Sequence, residues 1–247
     1  MIEFVVVIPS RYASTRLPGK PLLNLNGKPM IQHVYERGVE SGAAEVVIAT
    51  DDKRIADAAE SFGATVCMTA EGHQSGTERI AEVADLRDWN DAQVVVNLQG
   101  DEPSMPAILI KQCAKLLTDA AVDVSTLASP FLTRNDFENP NCVKVIRNLN
   151  AHAIYFSRSV IPHACESGQD ELAIRTALHH HGIYAYRCGV LRQLVAAEPS
   201  PLEVSEQLEQ LRALSLGMTI AVGIPAERPG IGVDTAEDLL RVAAELS

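Results

Sequence analysis

What most constrains this chain is a rhythm: short apolar runs alternate with amphipathic stretches that open on a capping residue and close on glycine. Phe4 to Ile8, Glu45 to Thr50, Thr65 to Met68 and Gln93 to Leu98 read as strands. Between the first two, Pro29 at a first helical position opens a helix with Ile31, Val34 and Gly38 on one face, closing at Gly42. Asp51 and Asp52 cap a helix that turns Ile55, Ala56, Ala59 and Phe62 inward and stops at Gly63. Ser75-Gly76-Thr77-Glu78 has capping-box spacing ahead of a helix bearing Ile80, Val83 and Ala84. Such repetition predicts a largely parallel sheet with right-handed crossovers and a binding crevice at the carboxyl ends of the strands.

The second half departs from strict alternation. Ser104 reads as the cap of a helix from Pro106 to about Leu117, and Val122 to Ala128 resumes the sheet. Val143 to Arg147 and Ala153 to Ser157, joined by Asn148-Leu149-Asn150, form a hairpin pattern. Pro162 to Glu171 is a polar loop, and Gly182 to Arg187 another strand. Helices follow over Val190 to Ala196 and Leu202 to Leu214, split by Pro199-Ser200-Pro201, then a strand from Thr219 to Ile224 and a helix capped near Asp234 and Thr235. With 247 residues and 47% hydrophobic content, the chain can bury one large core. The expected fold class is α/β: a single domain, 1–247, with a mostly parallel mixed sheet and an inserted hairpin lobe at about 131–190.

The loop after the first strand carries the strongest chemical signal. From Phe4 to Tyr35 there is no Asp or Glu, while Arg11, Arg16, Lys20 and Lys28 add positive charge to a protein of net charge -11. At physiological salt, charges are screened over roughly 8 Å, so this local cluster decides what a pocket beside it attracts. Arginine forks and lysine ammonium groups suit phosphate oxygens, and Pro9, Pro18 and Pro21 stiffen the loop. A P-loop is excluded because Gly19-Lys20 runs into Pro21 and Gly27-Lys28 into Pro29; a G-x-G-x-x-G fingerprint is also missing.

The acidic balance argues against general nucleic-acid binding and against adhesion to anionic membranes. Five widely spaced cysteines give neither a C-x-x-C motif nor a disulfide framework. No run reaches membrane-spanning length and no signal peptide is legible, so a cytoplasmic location is expected. Two carboxylates stand where strands end: Asp101 in Gln99-Gly100-Asp101-Glu102-Pro103, and Asp234 in Gly230-Ile231-Gly232-Val233-Asp234-Thr235. Opposite a basic loop they could hold Mg²⁺ against a triphosphate, since Mg²⁺ takes one or two carboxylates together with phosphate oxygens and water. For Asp234 a plain helix cap is an equal reading.

The loop Ile8 to Leu22, the stretch His73 to Arg79, the turn Gln99 to Pro103 and Gly232 to Thr235 together resemble the 3-deoxy-manno-octulosonate (Kdo) cytidylyltransferase family, the CMP-Kdo synthetases. The likeness runs essentially end to end and includes Tyr155-Phe156-Ser157-Arg158, Gly182-Ile183-Tyr184 and Leu208 to Arg212. It implies transfer of CMP from CTP to the anomeric hydroxyl of Kdo, with release of pyrophosphate, Mg²⁺ dependence, a homodimer and a place in lipopolysaccharide synthesis. By the same resemblance Arg11, Arg16 and Lys20 hold the phosphates, and Pro9 and Ser10 belong to the nucleotide site. Ser75, Gly76, Thr77 and Arg79 lie near the cytidine, Asp101 and Asp234 bind metal, and Arg11, Lys20 and Asp101 are catalytic. Gln99 borders both substrates, while Arg158, His180, Tyr184, Glu209 and Gln210 face the sugar acid. Three positions depart from the family pattern: Ser10 stands where alanine is usual, and His179 and His181 flank His180 where arginine and leucine are familiar.

In-line attack of a hydroxyl on the α-phosphorus spreads negative charge over the nonbridging and leaving oxygens, so cationic donors and a metal supply the catalysis and no protein nucleophile is needed. Arg158, after an apolar strand, could pair bidentately with a sugar acid's carboxylate or end in a surface salt bridge. His179-His180-His181 cannot easily share one ion, because neighbours on a strand point to opposite faces. A glycosyltransferase of related fold would want an Asp-x-Asp motif where Asp101-Glu102-Pro103 stands. A non-catalytic nucleotide sensor would have lost Lys20, Asp101 or Asp234. The same chemistry on 8-amino-Kdo or another sugar acid remains an alternative acceptor.

Overall fold

A computed structural model describes residues 2–13, 17–166 and 168–246; Arg16 lies outside the described residues. The first half follows the apolar rhythm closely. Strand β1 (Phe4–Ser10) leads through the basic loop to a two-residue hairpin, β2 (Asn24–Leu25) and β3 (Lys28–Pro29), then helix α1 (Met30–Glu40). Next come β4 (Glu45–Thr50), α2 (Lys53–Ser61), β5 (Thr65–Met68), α3 (Gly76–Leu86), β6 (Val94–Asn97) and α4 (Ala107–Lys115). The remainder comprises β7 (Val124–Pro130), α5 (Arg134–Glu138), β8 (Lys144–Arg147), β9 (Ala153–Ser157), α6 (Asp170–Thr176), β10 (Leu178–Arg187), α7 (Cys188–Ala196), α8 (Pro201–Glu206), α9 (Gln210–Ser215), β11 (Ile220–Gly223) and α10 (Ala236–Glu245).

The sheet runs in the order β11-β7-β10-β6-β1-β4-β5, with β8 paired to β10 and to β9. β1, β4, β5 and β6 are mutually parallel, β11 is parallel to β7, and β10 runs antiparallel to both of its neighbours, β6 and β7. Period-two alternation sorts the core into two layers. Phe4, Val6 and Ile8 of β1 face α1, α2 and α4 through Ile31, Val34, Ile55, Leu109 and Ile110. Val5 and Val7 face the other way, toward Ile80 and Val83 of α3, Leu191 of α7 and Leu211 of α9. A smaller cluster of Leu25, Met30, Val233 and Val242 fastens α10 over the first loop.

Four readings of local structure need correction. Ser104 does not cap α4; Pro106 occupies that position, and Ser104 Oγ instead donates to Ile231 O at 3.1 Å. The capping box of α3 is half formed: Ser75 Oγ accepts from Glu78 N, but the Glu78 carboxylate reaches past Ser75 to Gln74 N at 2.7 Å. The segment expected as one helix from Leu202 to Leu214 is two, because Gln207 takes a left-handed conformation (φ 52°) after a genuine capping box at Ser200 and Glu203. The strand expected from Gly182 begins at Leu178, so the three histidines are strand residues. Their polarity masked a half-buried strand, and the register shift between His181 and Tyr184 breaks the alternation that would have announced it.

Candidate active site

The parallel strands β1 and β6 end side by side, and the chain must turn there without clashing. Gly100 makes this possible: a Cβ on it would lie 2.7 Å from Ser10 Oγ and 3.1 Å from Pro9 O. Ser10 itself is buried, and its hydroxyl has no partner among the described residues. A second close approach brings in the distant segment before α10. A Cβ on Gly230 would sit 2.3 Å from Ser104 O, while Val233 N donates to Asp101 O at 2.8 Å.

These contacts bring Asp101 and Asp234 together around one cation. Lys20 Nζ, entering from the first loop, lies 2.7 Å from Asp101 Oδ2 and 3.2 Å from Asp234 Oδ1. Lys20 is mostly buried, whereas both aspartates keep substantial exposure. Glu102 stands beside them; burial first, then the Asp101 and Asp234 charges, push its carboxyl up to about 8. That shift favours the protonated form, which eases the crowding of three acids. Sequence reasoning assigned Glu102 no role, and the signal was only its adjacency to Asp101. Asp234 is not the helix cap. That place belongs to Thr235, in a capping box with Asp238, which leaves the Asp234 carboxylate turned to Lys20.

Along the crevice, Arg11 is exposed and reaches Gln74 O at 3.4 Å, linking the first loop to the stretch before α3. Gly76 packs on Pro9, where a Cβ would stand 3.2 Å from the Pro9 ring. Arg79 is different in kind. It is 3% exposed, with its fork spent on Asp51 Oδ2 at 2.7 Å and on Thr69 Oγ1, so it braces the crevice from within.

Deeper between the layers, Gln99, Tyr184, Glu209 and Gln210 line one cleft with Thr77, Asn97, Tyr186 and Arg212, enclosing about 60 Å³. The antiparallel β10 brings Tyr184 here, since it pairs with Asn97 at the end of β6. Glu209 accepts from Ser75 Oγ at 3.0 Å; burial raises its carboxyl pKa, opposed by hydrogen bonds from Thr77 and Ser75. The Tyr184 hydroxyl and Gln210 Nε2 are buried with no hydrogen-bond partner among the described residues. Unmade buried hydrogen bonds cost about 1–3 kcal/mol each, so two such groups aimed at one cleft mark a place for a polar ligand.

His180 does not line that cleft but stands behind it, its ring 5.3 Å from Tyr184 and edge-on to Phe156. Its Nε2 lies 3.1 Å from Thr126 Oγ1, which also sits 2.7 Å from Ile183 O. Thr126 thus gives its one proton to that carbonyl and accepts from the imidazole. Burial pulls His180 down to about 3, with small contributions from its histidine neighbours. His179 and His181 point to the opposite face, where His179 stacks on Phe131 and His181 Nε2 meets Ser129 Oγ at 2.7 Å. The three rings thus cannot close on one ion.

Arg158 follows β9 and does not line the cleft either. Its Nε donates to Glu206 O at 2.9 Å, its Nη1 to Pro140 O at 3.2 Å and its Nη2 approaches Gln207 O at 3.5 Å. Two of those carbonyls, of Glu206 and Gln207, precede Glu209 by three and two positions. Among the described residues the guanidinium makes no ion pair, in contrast to Arg79 on Asp51 and Arg212 on Glu203.

A doubly wound sheet with a cation-bridged pair of aspartates under a basic first loop defines a nucleotidyltransferase. A family model described as cytidylyltransferase matches residues 5–220. The structure superposes on a CMP:2-keto-3-deoxy-manno-octonic acid synthetase complexed with CTP at 41% identity, covering 99% of this chain and 98% of that one, TM-score 0.90. The chain belongs to the cytidylyltransferase family. The fold recurs in a cytidylyltransferase from Leptospira borgpetersenii serovar Hardjo-bovis (18% identity, 98% and 86% of the two chains, TM-score 0.63). It recurs again in a 4-diphosphocytidyl-2C-methyl-D-erythritol synthase from Anaerococcus prevotii (12% identity, 99% and 98%, TM-score 0.63).

Proposed function

We propose that the protein transfers CMP from CTP to the anomeric hydroxyl of Kdo, releasing pyrophosphate. The observation that carries this reading is a pair of unlike sites joined by the turn from Gln99 to Asp101: a cation seat between Asp101 and Asp234, and a cleft lined by Gln99 and Glu209 in which the donors of Tyr184 and Gln210 have no partner among the described residues. A polyhydroxylated ligand satisfies the second and a nucleoside triphosphate with its metal the first. The likeness to a synthetase of CMP:2-keto-3-deoxy-manno-octonic acid supports the choice of acceptor.

The residues present fit a divalent cation, because two carboxylates already converge on a single positive charge, that of Lys20. Asp101 and Asp234 would hold Mg²⁺, which when bound supplies charge neutralisation at the α-phosphate and eases loss of the sugar hydroxyl's proton. Lys20 and Arg11 present donors to phosphate oxygens whose charge grows during the transfer. Gly76, packed on Pro9, admits the nucleotide close to the backbone at the start of α3. Glu209 accepts from sugar hydroxyls, and Tyr184 and Gln210 donate to them. The Arg158 guanidinium lies outside the cleft and rests on neutral carbonyls, two of them just ahead of Glu209 in the cleft wall; it would leave these for the sugar acid's carboxylate, a stronger acceptor.

We further infer a homodimer for which the exposed Leu132, Leu149, Ile154 and Leu172 around the hairpin supply apolar surface. A lone monomer in sedimentation at micromolar concentration would refute it. Lipopolysaccharide synthesis in the cytoplasm is the setting this activity fits.

The deciding assay measures pyrophosphate release for each of four nucleoside triphosphates crossed with Kdo, its 8-amino analogue and N-acetylneuraminate. The expected result is turnover with CTP and Kdo. Preference for the 8-amino analogue would move the acceptor assignment, and release independent of any sugar acid would refute the transfer itself.

A further inference from the structure

We propose that Lys144 and Glu206 are positioning residues for the sugar-acid subsite, acting through Arg158; the inference rests on the reading of Arg158 given above. The peptide groups on either side of Arg158 are gripped by opposite charges. Glu206 Oε2 accepts from Arg158 N at 2.9 Å, and Lys144 Nζ donates to Arg158 O at 2.8 Å. Each charge has a second hold on the neighbourhood: Glu206 Oε1 accepts from Ser157 Oγ at 2.6 Å, and Lys144 Nζ donates to Asn139 O at 2.8 Å. The guanidinium then returns to the same two segments, through Glu206 O on one side and Pro140 O on the other. Arg158 is thus fixed at its backbone by two charged side chains and at its tip by main-chain carbonyls.

Lys144 is an expensive way to build such a brace. It is fully buried, with 0% exposure, between β9 and β10, pairing with Ser157 on one side and His179 on the other. Burial lowers its pKa from the ordinary lysine value, and its hydrogen-bond partners are two neutral carbonyls. A methionine of similar length would fill the space without the desolvation of an ammonium. What methionine cannot do is hold the Arg158 carbonyl and the 139–140 turn at a fixed separation. That separation sets where the guanidinium sits relative to Glu206 and Gln207, and so relative to Glu209 and Gln210 in the cleft wall. A bidentate carboxylate contact tolerates little displacement of the fork.

The test compares wild type, Lys144→Met, Glu206→Gln, Arg158→Ala and each of the first two variants combined with Arg158→Ala. It measures KM for Kdo, KM for CTP, kcat and the melting temperature. Lys144→Met and Glu206→Gln are expected to raise the Kdo KM roughly tenfold, with the CTP KM changed less than about twofold, and to add nothing once Arg158 is alanine. Glu206→Gln retains one acceptor oxygen and serves if Lys144→Met does not fold. Effects that multiply with Arg158→Ala, or that strike both substrates alike, overturn the positioning role while leaving Arg158 as the carboxylate partner. An Arg158→Ala variant with unchanged Kdo KM overturns both.

Discussion

Replacing Lys20 by methionine removes one positive charge from between two carboxylates while keeping most of the side chain's volume. The structure allows the consequences for stability and for rate to be separated. Asp101 and Asp234 are 39% and 53% exposed, so each remains hydrated when its partner is lost. Ion pairs that accessible contribute about 0.2–1 kcal/mol apiece, and the loss in unfolding free energy should be on the order of 1 kcal/mol. On the function proposed above the rate has more at stake, because the ammonium would then face oxygens that gain charge only as the α-phosphorus is attacked. Removing one such donor costs about 10² to 10³ in kcat, equivalent to about 2.7–4 kcal/mol. The assay is steady-state pyrophosphate release with CTP and Kdo varied in turn, paired with thermal unfolding. The expected result is a kcat lowered at least a hundredfold, with a CTP KM that moves much less and a melting temperature within a few degrees of wild type. A variant with native kcat and a raised CTP KM would make Lys20 a ground-state tether and refute the reasoning.

Two further predictions follow from the same geometry. Asp101→Asn and Asp234→Asn should each abolish turnover at ordinary Mg²⁺ without loss of fold, since each removes a hard anionic ligand but keeps the shape; near-native activity with unchanged Mg²⁺ dependence in either would refute that residue's role. Acidification should destabilise the protein between pH 6.5 and about 4, because His180 and His181 are held down to about 3 and about 4 by burial while the unfolded chain takes up their protons near 6.5. The sign is that of a depressed base: the penalty is absent above pH 6.5 and grows by about 1.4 kcal/mol per pH unit per group below it. Denaturant midpoints across that range should fall less steeply for His181→Gln, and an equal slope would count against a neutral buried imidazole.

Much of the site was legible because its chemistry is local. An acid-free basic loop after a strand, and an aspartate directly after the next central strand, announce themselves in the order of residues, and the structure brings Lys20 and Asp101 within 2.7 Å. Asp234 was legible only as an ambiguity, since Asp-Thr before an apolar run caps a helix equally well; the Thr235–Asp238 box resolves it. What the sequence hid is long-range. Lys144 reads as one lysine among valines in a hairpin, and nothing nearby says that both its faces are covered by β9 and β10. The break at Gln207 has no glycine or proline to mark it, and it is a left-handed glutamine that ends α8. Arg158 stood out in the sequence as a candidate for the sugar acid's carboxylate, yet its resting partners are backbone carbonyls from two distant segments, which no side-chain pattern encodes.

The closure of the site by residues 230–234 bears on how the protein is made. Lys20 and Asp234 are 214 residues apart, and the strands that flank the crevice can pair long before the later segment exists. A nascent chain emerging residue by residue can form β1, α1, β4 and β6 while Asp101 still lacks the neighbour that Val233 N and Asp234 provide. The seat for the cation is therefore finished only when Gly230 slides against Ser104 and α10 settles on Leu25 and Met30. Chains stalled or clipped before that point lack Asp234, and with it half of the carboxylate pair around Lys20.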